Sequence, residues 1–150
     1  MYDQFDPLGA ALGLPPYKVE TRRAWIGSAL RQVVNLAAFS EPGQVVGHCF
    51  LVRDHTCSAE LAIFVHQEYR QRGIGKALLK TALEWAGAAD FRRVWSITAA
   101  DNRAALQLQQ SCGFHLAKSE FDEIELEYPL RVESFRRRDA MLNRLQERLG

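Results

Sequence analysis

The sequence is poor in the features that settle a protein's class at a glance. It holds three cysteines, Cys49, Cys57 and Cys112, in 150 residues. An odd number at irregular spacing supports no disulfide framework, and a reducing cytoplasm is the expected setting. Net charge is nearly absent: 19 Lys and Arg stand against 18 Asp and Glu. No general field therefore draws the chain to nucleic acid or to an anionic membrane. No apolar run is long enough to span a bilayer, and Met1 to Ala11 lacks the basic, apolar pattern of a signal peptide. Internal repeats and low-complexity linkers are missing too. The expectation is one domain over residues 1–150, long enough to bury a core. Metal-ligand spacing is also lacking. His48, Cys49, His55, Cys57 and His66 cluster in sequence but fit neither C-x-x-C nor H-E-x-x-H. Within a strand His48 and Cys49 point to opposite faces, so no metal is expected.

What is present is concentrated between Ala59 and Ala86. Ala59 to Val65 is a short, apolar, β-branched run of the kind that forms a strand covered on both faces. His66 to Arg72 is polar and suits a surface connection. Gly73 and Gly75 stand where the pattern turns helical, with Ile74, Ala77, Leu78, Ala82, Trp85 and Ala86 on one stripe and Lys76, Lys80 and Glu84 off it. A strand feeding a glycine-bearing helix start makes an anion site, because free N–H groups and the helix dipole converge there. Arg70, Arg72 and Lys76 add positive charge. The spacing is not that of a Walker loop, and Leu78 stands where a dinucleotide fingerprint needs its third glycine.

Downstream, Arg93 to Ala99 reads as a strand. Asp101 or Asn102 can cap a helix carrying Ala105, Leu106 and Leu108, and Gly113 closes it. Asn35 to Ser40 and Val45 to Val52 read as strands joined by a turn at Glu41–Gln44. Phe114 to Phe121 and Ile124 to Tyr128 read as a hairpin. Met1 to Pro16 reads as a coil arm. Tyr17 to Glu20 is a candidate strand, and Thr21 to Val34 a helix with Trp25, Ala29, Leu30 and Val33 inward. Arg131 to Leu149 reads as a closing helix with Phe135, Leu142, Leu145 and Leu149 on one side, a cover for the sheet or a homodimer contact.

Arg70-Gln71-Arg72-Gly73-Ile74-Gly75 resembles the Q/R-x-x-G-x-G/A loop of the GCN5-related N-acetyltransferases (GNAT). Asn102, Ala105, Gly113 and Phe114 match that family's second motif in spacing. The resemblance runs from about Val45 to Tyr128, and the AE-rich strand is similar to that of bacterial protein-lysine acetyltransferases. It implies an α/β fold with a mixed, mainly antiparallel sheet flanked by helices. It implies acetyl-coenzyme A as cosubstrate and a primary amine, a protein lysine or a small molecule, as acceptor. Arg70, Gln71, Arg72, Gly73, Ile74, Gly75 and Lys76 would hold pyrophosphate, and Asn102 the cofactor arm. Ile63, Phe64 and Val65 would hold pantetheine and the thioester carbonyl. Glu60 would be the general base, with a solvated strand-end charge as its plainer reading. Where many relatives place an acidic Tyr, this chain has Gln109, which cannot donate a proton as an acid. That departure, with an abbreviated N-terminal segment, leaves a non-catalytic acyl-coenzyme A sensor as the alternative.

Overall fold

A computed structural model describes residues 1–5, 14–41 and 43–130. The order is α1 (Val19–Ala29), β1 (Val34–Phe39), β2 (Val45–Arg53), β3 (Ser58–Val65), α2 (Ile74–Ala88), β4 (Arg93–Ala99), α3 (Arg103–Ser111), β5 (His115–Glu120) and β6 (Glu123–Pro129). The strands form one sheet in the order β1-β2-β3-β4-β6-β5. All neighbours are antiparallel except β3 and β4, so the fold is α/β with a mixed, mainly antiparallel sheet, as the resemblance implied.

One face of the sheet packs on α2. Alternation along β2 and β3 sends Cys49, Leu51, Ala59 and Leu61 to that side, where they meet Leu78, Leu79, Ala82 and Ala86 in a common core. Gly47 makes the approach possible: a Cβ there would lie 2.9 Å from Leu78 Cδ1 and 3.0 Å from Ile74 Cγ2. The opposite face carries Trp25 of α1 and a short 3₁₀ turn, Tyr2–Gln4. Tyr2 sits edge-on to Trp25 and to Phe64, with ring centroids 5.3 and 5.7 Å apart. The first five residues are thus a docked turn rather than a loose arm.

Several expectations need correction. Tyr17 to Glu20 is not a strand, because the Arg22 guanidinium takes the carbonyls of Pro16 and Tyr17 and pairs with Asp3 at 2.8 Å, and α1 opens at Val19. That helix ends at Ala29 instead of running to Val34. The Asn35 amide donates to Ala29 O at 2.6 Å, which takes up a terminal carbonyl. Leu30 and Val33 are consequently exposed. On α2, Trp85 and Ala77 are exposed, and Leu79, outside the expected stripe, is fully buried. The inner face is rotated because α2 lies over the β1–β3 side of the sheet. The expected helix over residues 131–149 lies outside the described residues. Among the described residues, no helix is long and apolar enough to cross a membrane, and no group of three or more His, Cys, Asp or Glu is placed to hold a metal.

Candidate functional site

The parallel pair at the centre of the sheet is short. β3 and β4 pair only at Ser58–Arg93, Ala59–Val94 and Glu60–Trp95. Beyond that point β3 stays on β2 as far as Val65, and β4 stays on β6 as far as Ala99. The two strands therefore splay apart, with Glu60 and Trp95 at the apex. Main-chain groups that face such a gap need partners, and an extended ligand can supply them as an added strand would.

Which groups face the gap follows from one hydrogen bond. The N–H of His66 donates to Val46 O on β2 at 2.9 Å. Successive residues of a strand point to opposite edges, so Phe64 also turns its N–H to β2, while Ile63 and Val65 turn theirs into the splay. Of the three residues expected to hold pantetheine and the thioester carbonyl, Phe64 is the one whose N–H faces away from the gap. Its ring instead lies on the aromatic face, near Tyr2 and Trp25. Val65 O accepts from Arg70 Nε at 3.2 Å, which ties the loop back to the strand end.

At the open end of the splay stands the start of α2. Gly73 is its N-cap, with φ +80°, and as a glycine it has no side chain to cap the helix. The first helical bond is Ala77 N–H to Gly73 O at 3.0 Å, so the N–H groups of Ile74, Gly75 and Lys76 have no partner within the helix. Left-handed backbone at Gln71 (φ 59°) and Gly73 shapes the loop, and the Arg72 guanidinium lies 5.0 Å over the Tyr69 ring. The two glycines differ. A Cβ at Gly73 would meet nothing within 4 Å, whereas one at Gly75 would lie 3.0 Å from Leu108 Cδ2. Gly75 lets α3 close on α2, and Gly73 keeps the helix mouth open.

Asn102 follows β4 at the same open end, since β3 and β4 run parallel. Its Oδ1 caps α3 by accepting from Ala105 N–H at 3.2 Å, so the side chain already serves the helix. Gln109 is almost fully buried. Its amide bonds Ser96 Oγ and, at 3.1 Å, Thr98 Oγ1, clamping α3 to β4. Sequence reasoning noticed what Gln109 is not; its role as a clamp depends on partners more than ten residues away. Tyr128 packs its ring against Phe114 and lies close to Gly113.

At the apex, Glu60 is half-buried on the face away from α2, between Val52 and Trp95. Burial raises its carboxyl above the usual range, and no hydrogen bond or ion pair reaches it from the described residues. Glu127, across β4 from Glu60, goes the other way: bonding by Arg93 at 2.8 Å and by His115 holds its carboxyl low. The Trp95 indole N–H donates to Asp54 at 3.1 Å. Against the cost of burial, that bond and those from Thr56 and Ser58 bring Asp54 down to about 2. Two neighbouring carboxylates of opposite tendency, one free and raised, suit Glu60 rather than Glu127 to proton transfer. Glu68 is exposed.

A polar chain that no sequence pattern pointed to lies on the same face. Asn35 must present its NH₂ to Ala29 O, so its Oδ1 faces His48 Nε2 at 2.7 Å and that nitrogen carries the proton. His48 Nδ1 is then the acceptor, and Tyr2 donates to it at 2.5 Å. Burial lowers the His48 pKa and pushes the Tyr2 hydroxyl far up. His66, also buried, accepts from Glu68 N–H at 3.4 Å, and its Nε2 finds no partner among the described residues.

Comparison with known proteins places this geometry. The sequence profile of the Acetyltransferase (GNAT) family matches residues 5–114. A curated relative, N-acetyltransferase family 8 member 3 of Rattus norvegicus, is 44% identical over 50 residues, 33% of this chain and 22% of that protein. The chain thus spans about a fifth of that relative's length. The fold is shared with a solved putative phosphinothricin N-acetyltransferase, at a TM-score of 0.71 and 20% identity over 87% of this chain and 88% of that one. It is also shared with a GNAT superfamily phosphinothricin acetyltransferase from Sinorhizobium meliloti, solved in complex with acetyl-coenzyme A. There the TM-score is 0.68 and identity 20%, over 78% and 72% of the two chains.

Proposed function

The chain belongs to the acetyltransferase (GNAT) family, and we propose that it moves the acetyl group of acetyl-coenzyme A to a primary amine by direct attack. The observation that carries this reading is the three-residue β3–β4 ladder, which opens a gap beside an uncapped helix start. The gap suits an extended pantetheine arm, and the helix mouth suits a pyrophosphate, whose charge the dipole and free N–H groups favour. Arg70, Gln71, Arg72, Gly73, Ile74, Gly75 and Lys76 form that mouth, and Asn102 borders it. The solved relative that holds acetyl-coenzyme A supports the choice of cosubstrate.

The N–H of Ile63, the nearer to Glu60 of the two that face the gap, takes up the negative charge that develops on the thioester oxygen as the amine attacks. That of Val65, about 6.6 Å along the strand and nearer the helix mouth, pairs with the pantetheine arm. An alkyl amine has a pKa near ~10 and must first lose a proton. Glu60, without a partner among the described residues and raised by burial, accepts it directly or through water. The carbon–sulfur bond breaks and coenzyme A leaves as thiolate, which water protonates, since Gln109 is locked in its clamp. The acceptor is a protein lysine or a small-molecule amine. Free Cys49, Cys57 and Cys112 suit a reducing, cytoplasmic setting. Gln109 also favours one second reading, an acyl-coenzyme A sensor without turnover.

The test is coenzyme A release over a panel of amines and lysine peptides, for wild type and Glu60→Gln. The enzyme reading expects turnover that falls about 10²–10⁴-fold in the variant, with acetyl-coenzyme A affinity kept. Equal rates would remove Glu60 from the reaction, and binding without turnover on every acceptor would leave the sensor.

A further inference from the structure

The sheet's two edges are built differently. β5 ends it on one side and is exposed along its whole length. It carries His115, Lys118 and Glu120, the last two paired at 2.8 Å. Charge on an edge strand keeps its open N–H and C=O groups from templating another chain. β1 ends the other side, paired only to β2 among the described residues. Its six residues, Val-Asn-Leu-Ala-Ala-Phe, include no charge and no proline. Apolar surface continues around it. Val33 is 60%, Phe39 65% and Trp85 57% exposed. Between β1 and α2 runs a shallow groove of about 260 Å³, bordered by Leu36, Ala38, Ile74 and Ala77.

We propose that β1 is the surface through which two copies of this chain pair, β1 against β1 and antiparallel, about a two-fold axis at Leu36. The occupant is a second copy because the edge is complementary to itself. An antiparallel pair about a two-fold sets each strand's donors and acceptors against the same groups of the other, and the contact closes at two. Symmetry also brings any charge near the axis against its own copy, which is destabilising. An edge with no charge over its whole length escapes that penalty. With the axis at Leu36, Ala37 lies across from Asn35 of the other copy, Ala38 across from Val34, and Phe39 across from Val33. Phe39 at one end of the strand and Val33 just before the other, both exposed, then cover each other twice over. The bulge between Ala38 and Phe39 falls at the end of this ladder and leaves its centre regular.

Sedimentation velocity of the full chain, from nanomolar to high-micromolar concentration, tests the surface. Wild type is expected to dimerise. Phe39→Lys and, separately, Ala37→Lys are expected to weaken the dimer at least tenfold, with thermal unfolding of the monomer and the response to acetyl-coenzyme A kept. The register has its own test. In a Cys57→Ser background, Val33→Cys with Phe39→Cys should give an oxidised dimer, and Phe39→Cys alone should not. A wild type that is monomeric throughout overturns the proposal, as does a dimer that survives both lysine variants. Loss of the dimer on Leu142→Glu, with Phe39→Lys still dimeric, would move the contact to the C-terminal segment and overturn it equally.

Discussion

The sheet's two faces solve opposite problems. Towards α2 the packing is dry: Cys49, Leu51, Leu79, Ala82 and Ala86 have no measurable exposure, and burial pushes the Cys49 thiol up to about 12. The other face buries polar groups one by one, through the Tyr2–His48–Asn35 chain and the half-buried Glu60. The α2 face holds the chain together, and the opposite face carries the groups that titrate. The cofactor mouth lies where the two meet, since α2 packs its body on one face and presents its N-terminus at the end of the splay.

Substitutions can break this contrast. On the dry face Leu79→Ala should cost about 2–5 kcal/mol, from lost burial and the cavity left behind, read by urea unfolding. On the polar face Tyr2→Phe leaves His48 Nδ1 buried without its donor while Asn35 keeps the proton on Nε2. A loss of about 1–3 kcal/mol is expected. A cost near zero would mean that water replaces the phenol and that the chain is not sealed.

The smallest effect sharpens the same point through pH. Burial depresses the His48 pKa, so the unfolded chain takes up a proton at higher pH than the folded one. The stability this contributes is present above about pH 6.5 and is lost as pH falls through the folded value. Tyr2, Asn35 and Phe50 contact the ring and Phe64 lies opposite it on β3, and no hydrogen bond or ion pair to a charged group reaches it among the described residues. Unfolding free energy should therefore decline between pH 7.5 and 5.5, and less steeply in His48→Gln. Equal slopes would show that His48 is not the group responsible.

Local pattern was enough for the order strand, loop and helix from Ala59 to Ala86, because its alternation and its glycine act within a few residues. It was enough for the Asn102 cap for the same reason. The stripe of α2 that turns inward was instead set by the sheet beneath it, which left Ala77 and Trp85 exposed and buried Leu79. Local pattern also failed where a distant side chain decides. The end of α1 is set by Asn35, the strand expected at Tyr17 is undone by Arg22, and the docking of Tyr2 depends on His48 46 residues away. The resemblance implied that Ile63, Phe64 and Val65 hold the pantetheine and the thioester carbonyl, but which of their N–H groups face the gap needed the His66–Val46 bond. Gln109 shows the limit most plainly. A buried amide clamp and a missing acid look alike until Ser96 and Thr98 are seen beside it.

The most direct measurement is thermal unfolding with and without acetyl-coenzyme A, on wild type and on Arg72→Glu with Lys76→Glu, both exposed positions. Ligand at a hundred times its dissociation constant adds about 2.7 kcal/mol, which for a chain of this size is a rise in Tm of roughly 5–10 °C. The account predicts that rise in wild type and its loss in the charge-reversed variant, with the two unliganded Tm values alike. No rise at millimolar ligand, or an equal rise in both, would contradict an anion site at the start of α2.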